Sequence, residues 1–224
     1  NTTGSDKMAY AKYDPSGNLL WMKTFATSIL NPYVVGDNND HVIVSGGVLN
    51  STIDLDPGPG VDNHTATGYM AVLAKYDANG NYIWGSSVHS DDNVVFYASL
   101  AIDENDNIAV HGTFQGNVDA DPGPGTATLS SGGTGFASTT AIIAKYDSAG
   151  NYLWAHAFGT GSNPNHSALG SHLAFDLQNN LVYANAYGGT IDFDPGPGTA
   201  EFTSATNLNM VLAKYDPNGN LLWV

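Results

Sequence analysis

The sequence predicts an all-β fold, a β-propeller built of four-stranded antiparallel blades, from three observations. A closing phrase recurs four times, each copy reads as a hairpin, and a second hairpin pattern falls between successive copies. The phrases are AYAKYDPSGNLLW, VLAKYDANGNYIW, IIAKYDSAGNYLW and VLAKYDPNGNLLW, ending at Trp21, Trp84, Trp154 and Trp223. Their spacings of 63, 70 and 69 residues mark a long-period repeat.

Within each phrase the first arm alternates, as in Val72, Ala74 and Tyr76 against Leu73, Lys75 and Asp77. Period-two alternation is the signature of a half-buried strand. The connection Asp77-Ala78-Asn79-Gly80-Asn81 puts an aspartate where its carboxylate caps a turn and a glycine where positive φ is needed. These arms are strands C and D. Between successive C–D hairpins, YASLAIDENDNIAVHGTF from Tyr97 reads as strand, polar turn, strand. SHLAFDLQNNLVYANAY from Ser171 repeats the scheme, and PYVVGDNNDHVIVSGG from Pro32 does so more loosely. These are strands A and B. The order A-B-C-D repeated with tight turns is the pattern of propeller blades. Four strands per repeat exceed a solenoid rung, and one repeat is too small to bury a sandwich core alone.

The chain then divides into about three and a half blades: a half blade over 1–25 and blades over 26–88, 89–158 and 159–224. Propellers close with 4–8 blades, so the expectation is an arc of a larger propeller. The absence of an initiator Met at Asn1 points the same way, to a processed product or fragment.

A third recurring element separates strands B and C. TIDLDPGPG, NVDADPGPG and TIDFDPGPG begin at Thr52, Asn117 and Thr190. Alternation sets Ile53 and Leu55, Val118 and Ala120, and Ile191 and Phe193 on one face and the acids on the other. Pro-Gly-Pro-Gly then joins a small hairpin extending strand B. Asp-Pro-Gly is turn chemistry, which accounts for Asp56, Asp121 and Asp194. The first acids, Asp54, Asp119 and Asp192, have no such explanation from the sequence. Same-face carboxylates ~6.6 Å apart repel by ~0.6 kcal/mol in water and ~2.5 kcal/mol at an effective dielectric near 20. Two compensators offer themselves. One is Ca²⁺, bound by Asp54, Asp56, Asp119, Asp121, Asp192 and Asp194 with loop carbonyls. The other is the AKYD lysine, since Lys12, Lys75, Lys145 and Lys214 are four of the six lysines. Solvated acids are the third reading. The full EF-hand pattern is absent, because no glutamate follows at the required spacing.

Charge excludes several partners. With 6 Lys+Arg against 21 Asp+Glu the net charge is −15, and there is no arginine. Nucleic acid and anionic membrane surfaces are poor partners for such a chain. No apolar run reaches the roughly 18 residues of a membrane span. There is no cysteine, so neither disulfides nor thiolate metal sites exist. Abundant Asn, Thr, Ser and Gly with low charge suggest an extracellular chain, and sequons stand at Asn1, Asn50, Asn63 and Asn165.

The phrase AKYDxxGNxxW resembles the SBBP-type β-propeller repeat of large bacterial surface and secreted proteins. The DFDPGPGT segment at 192–199 resembles a subset of those repeats found in Bacteroidetes-like and Planctomycetes-like extracellular proteins. The resemblance spans nearly the whole chain. It implies export and a role in adhesion, scaffolding or surface assembly, with protein or glycan partners at the cell surface. It implies no catalytic residues.

Other chemistry reads as structural. The seven histidines share no repeat slot, and His111 and His172 stand out only by lying on B and A strands, nearest a propeller axis. A Gly-x-Ser-x-Gly elbow is absent, and the Gly-rich stretch 132–138 has no helix after it. The recurring Trp and Tyr are read as inter-blade packing. The expected function is a non-enzymatic extracellular module. The alternatives are a self-assembling subunit of a filament or lattice, and a polysaccharide hydrolase or lyase with its site on the axis.

Overall fold

The computed structural model describes residues 8–92, 95–131, 140–159 and 167–224, among which there are strands and turns and no helix. Strands β1 (Met8–Tyr13) and β2 (Leu19–Phe25) form a two-stranded antiparallel sheet. Next come β3 (Leu30–Gly36), β4 (Val42–Leu49), β7 (Tyr69–Tyr76) and β8 (Tyr82–Val88), hydrogen-bonded in that order. The same order holds for β9 (Val95–Ile102), β10 (Ile108–Phe114), β13 (Thr140–Tyr146) and β14 (Tyr152–Phe158). It holds again for β15 (Ser167–Phe175), β16 (Leu181–Asp192), β17 (Glu201–Tyr215) and β18 (Leu221–Trp223). The all-β propeller architecture is therefore present as three four-stranded blades and one C–D pair. The A strands β3, β9 and β15 are neighbours, which places them innermost.

The Pro-Gly hairpins take two forms. In the second and third blades they are separate two-stranded sheets, β5 (Thr52–Asp54) with β6 (Asn63–Thr65) and β11 (Asn117–Asp119) with β12 (Thr128–Ser130). In the last blade the hairpin is continuous with β16 and β17, interrupted by a register shift between Tyr187 and Gly189. The expected extension of strand B thus holds for one blade, and a break frees the hairpin in the other two.

Blades are joined by apolar layers, each shared by consecutive sheets. Tyr10 and Phe25 of the first pair pack with Val44, Val72, Ala74 and Tyr76. Ala71 and Leu73, on the opposite face of that blade, pack with Val110, Ile142, Ala144 and Tyr146. Ala141, Ile143 and Phe158 pack with Tyr183, Val211, Ala213 and Tyr215. Each layer includes the apolar pair of the following blade's hairpin: Ile53 and Leu55, then Val118 and Ala120, then Ile191 and Phe193. These six are buried to within 2% of complete. The Pro-Gly hairpin is thus a wedge between its own blade and the one before it. A fully buried Ile or Phe contributes ~1.5–3 kcal/mol, so the wedge belongs to the core.

Candidate functional site

The repeated polar residues converge on the joint between blades, at the end carrying the A–B and C–D turns. Every residue of AKYDxxGNxxW has an observable task there. In the C–D turn Asp77 Oδ1 accepts the backbone N–H groups of Asn79 and Asn81 at 2.8 Å each, and Oδ2 accepts the Asn81 amide at 2.9 Å. Asp14, Asp147 and Asp216 do the same. The turn glycines Gly80, Gly150 and Gly219 have φ of +76°, +84° and +86°. Above them lie the indoles of Trp21, Trp84 and Trp154 from the preceding blade, 2.9–3.2 Å from where a Cβ would stand. Each indole N–H donates across the joint, to the carbonyls of Ala78 (2.9 Å), Ser148 (3.3 Å) and Pro217 (3.0 Å). Glycine is required twice over, by the backbone conformation and by the ring.

The tyrosines of AKYD fasten the wedge. Tyr76, Tyr146 and Tyr215 donate to the carbonyls of Leu55, Ala120 and Phe193 at 2.8, 3.0 and 3.0 Å. Burial pushes all three hydroxyls far above the ordinary tyrosine range, so they remain donors.

The lysines correct an expectation. They do not neutralise the paired aspartates; they reach the A–B turn of their own blade. Lys75 Nζ lies 2.9 Å from Asp37, Lys145 2.9 Å from Asp103 and Lys214 2.6 Å from Asp176. Lys12, in the two-stranded sheet, instead sits 3.8 Å from Asp40 of the next blade. Lys75 and Lys145 are nearly fully buried, and Lys145 also stands 4.9 Å over the Phe175 ring. Burial works against the Asp37 charge. Hydrogen bonds from Lys75, the His41 ring and two backbone N–H groups overcome it and hold the carboxyl at about 2. For Asp103, burial is again outweighed by Lys145 and Asn107, and its pKa falls below the usual value. Asp176 is lowered chiefly by Lys214.

The paired acids then find their partners within the hairpin. Asp54 Oδ1 accepts the N–H of Asp56 at 3.0 Å and of Asp62 at 2.7 Å. Asp119 does so with Asp121 and Ala127, and Asp192 with Asp194 and Ala200, all at 2.8–3.1 Å. The first acid ties one arm of the hairpin to the other across its neck, a contact between residues eight apart that turn rules do not anticipate. Asp56, Asp121 and Asp194 accept the N–H two residues on, from Gly58, Gly123 and Gly196. Their other oxygen lies 2.1 Å from where a Cβ on Gly60, Gly125 or Gly198 would stand, which explains the second glycine. Calcium needs 6–8 oxygen ligands, and among the described residues no three acidic or histidine side chains form a group able to hold a metal.

Two cavities adjoin these elements. One of about 360 Å³ lies on the joint rim, between Trp84 and Ser86 of one blade and residues 121–125 and Tyr152 of the next. Another of about 440 Å³ separates β1 from β3 and β4, lined by Tyr10, Lys12, Trp21, Val34 and His41.

One polar constellation belongs to a single blade. His64 contacts Ser87 Oγ at 2.9 Å through Nδ1 and Asp62 at 3.1 Å through Nε2, and Tyr82 donates to the same Asp62 oxygen. His89 lies 3.4 Å beyond Ser87, its pKa lowered by burial and by the neighbouring His64. In the next blade these slots hold Ala127, Leu129 and Ala157. Sequence reading missed the cluster because Asp62–His64 and Ser87 lie on different hairpins. The signal was present as three polar breaks in aligned repeat positions. His111 is buried against the Tyr183 hydroxyl at 3.2 Å, whereas His172 is exposed. The stretch 132–138, Asn1, Asn165 and His166 lie outside the described residues.

No protein-family model matches the chain. It is similar to the uncharacterized WD repeat-containing protein L264 of Acanthamoeba polyphaga mimivirus, at 28% identity over 236 residues. The match takes in 92% of this chain and 16% of that protein's length. The chain therefore corresponds to a small part of that relative.

Proposed function

We propose that this chain is a non-enzymatic propeller module that binds protein partners on its repeat-breaking surface and is displayed outside the cell. The observation that carries the reading is the division of labour among the polar residues. Those that recur are engaged in turns, necks and joints, whereas Asp62, His64, Ser87 and His89 interrupt the repeat where the B–C hairpin of one blade meets the end of its outer strand. Repetition supplies a rigid frame, and recognition falls to positions that differ between units. The likeness to a WD repeat-containing protein supports a propeller frame for protein contacts. The Asn-, Thr-, Ser- and Gly-rich composition with low charge supports export, as does the likeness to SBBP-type repeats.

Immobilised chain is expected to retain proteins from its source. The triple variant Asp62→Ala, His64→Ala, Ser87→Ala is expected to lose them while unfolding at a similar temperature. Antibody staining of intact, unpermeabilised cells checks the location. Turnover of a polysaccharide by the chain would overturn the non-enzymatic reading.

The acid pairs act, in this reading, as braces of the hairpin neck rather than calcium ligands. Their support is the pair of N–H bonds that each first acid accepts. Melting temperature is expected to be the same with calcium and with chelator; a rise with calcium would reassign the six aspartates as metal ligands.

A further inference from the structure

At the three joints the D-strand residue two places after the tryptophan differs. Lys23, Ser86 and His156 pair in register with Tyr10, Leu73 and Ile143 of their C strands, so they hold one slot. In the first joint Lys23 lies over the C–D turn of the next blade, beside the Trp21 ring. Its Cε is 3.0 Å from where a Cβ on Gly80 would stand. In the last joint the His156 ring stacks on Trp154, with centroids 4.9 Å and planes 24° apart. Its Nε2 is 2.5 Å from the same position on Gly219. Each puts the end of a nitrogen-bearing side chain over the turn. Serine is too short to do so. The Ser86 hydroxyl turns toward the Leu73 carbonyl at 3.5 Å, and the nearest atoms to Gly150 all belong to the Trp84 ring. The cavity of about 360 Å³ lies at this joint, between Trp84, Ser86 and the hairpin tip 121–125. Asp121 is the one charged side chain among the residues that line it. Tyr152, also in its wall, has a hydroxyl pushed up by burial first and then by the charges of Asp121 and Asp119.

We propose that the groove at Trp84 and Asp121 receives a lysine side chain of a partner protein, which takes the place that Lys23 fills from within the chain at the first joint. Its methylenes lie along the indole and the Pro-Gly tip, and its ammonium meets the Asp121 carboxylate. A cation placed against an indole and beside a carboxylate gains from both. The net charge of −15 draws basic partners toward the surface before they dock. Successive side chains of a strand point to opposite faces, so Ser86 opens the groove on the face of β8 away from the Ser87–His64 contact. The groove is therefore a second contact, and it names the chemistry of what enters. It rests on the binding reading above only in taking the partner to be a protein.

Titration of the 224-residue chain with N-acetyl-lysine methylamide, followed by amide and indole NMR resonances, tests the proposal. The Trp84 indole N–H, identified by its loss in Trp84→Phe, and the Gly150 amide are expected to shift with a Kd of about millimolar, as one small side chain allows. Added salt is expected to weaken the response by screening. Ser86→Lys supplies the plug from within, as at the first joint, and is expected to abolish the response while melting no lower than wild type. Asp121→Asn keeps the acceptor for the Gly123 N–H and is expected to weaken binding about two- to fivefold, the size of an exposed charge pair. Resonances that do not move, or that move equally with the uncharged norleucine analogue, overturn the proposal. So does a Ser86→Lys chain that responds like wild type, or a methyl glucoside that shifts the same resonances more strongly. Failure here leaves the retention of proteins at Asp62 and His64 untouched, and loss of that retention leaves this titration untouched.

Discussion

At the scale of single residues, the chain separates acids that work in pairs with lysine from acids that work on the backbone. Asp103 and Lys145 are both buried, 2.9 Å apart. Burying the pair is costly, and removing one partner leaves an uncompensated charge. Lys145→Met is therefore expected to lower unfolding free energy by ~3–5 kcal/mol, with Lys145→Met/Asp103→Asn recovering part of it, as urea titration would measure. Asp119 is exposed and accepts two N–H bonds, so Asp119→Ala is expected to cost ~1 kcal/mol and Asp119→Asn less. Acid sensitivity follows from the lowered carboxylates. Asp37 titrates at about 2 when folded and near ~3.9 when unfolded. Its folded pKa is the lower one, so its stabilisation is complete above about pH 4 and is lost as pH falls toward 2. That single group is worth ~2 kcal/mol, and Asp103 and Asp176 act in the same direction. Urea midpoints should fall between about pH 5 and pH 2, and more shallowly in a Lys75→Met variant. The paired aspartates were legible as a pattern, but their partners were not. A carboxylate reaching an N–H eight residues on is fixed by how the hairpin folds, and no residue type announces it.

At the scale of elements, the C–D hairpin was fully legible and the B–C hairpin only half so. Alternation, Asp-x-x-Gly-Asn and the final Trp specify a strand, a turn with one left-handed residue and a second strand, all from local chemistry. What alternation leaves open is which sheet the apolar face of TIDFDPGPG covers. Only the shared apolar layers show that it wedges against the preceding blade, while the tyrosine bonds tie it to strand C of its own blade. The same dependence makes Gly150 informative. With φ +84° and the Trp84 ring 3.2 Å from its missing Cβ, Gly150→Ala is expected to cost ~1–2 kcal/mol from backbone strain alone. Trp84→Ala in the same background should relieve the contact but not the strain, so the two losses will be less than additive in a double-mutant cycle.

At the scale of the whole molecule, the repeat makes stability a sum of blades and the joints between them. Weakening one joint is therefore expected to separate unfolding into two steps, visible when fluorescence of Trp21 and Trp154 is compared in single-Trp variants. The sequence by itself determined the fold class, the strand order within a blade, both turn types and the net acidic charge. Each of these rests on residues close together in the chain, where propensity, alternation and turn chemistry act directly. Tertiary structure alone decided where the lysines go, what the first aspartate of each pair holds, and which polar residues gather as Asp62, His64 and Ser87. The lysine contacts and the Asp62–His64–Ser87 cluster join residues from different hairpins, and the aspartate contacts cross the neck of one hairpin between residues eight apart. Their partners are chosen by how the hairpins fold and pack and not by position along the chain.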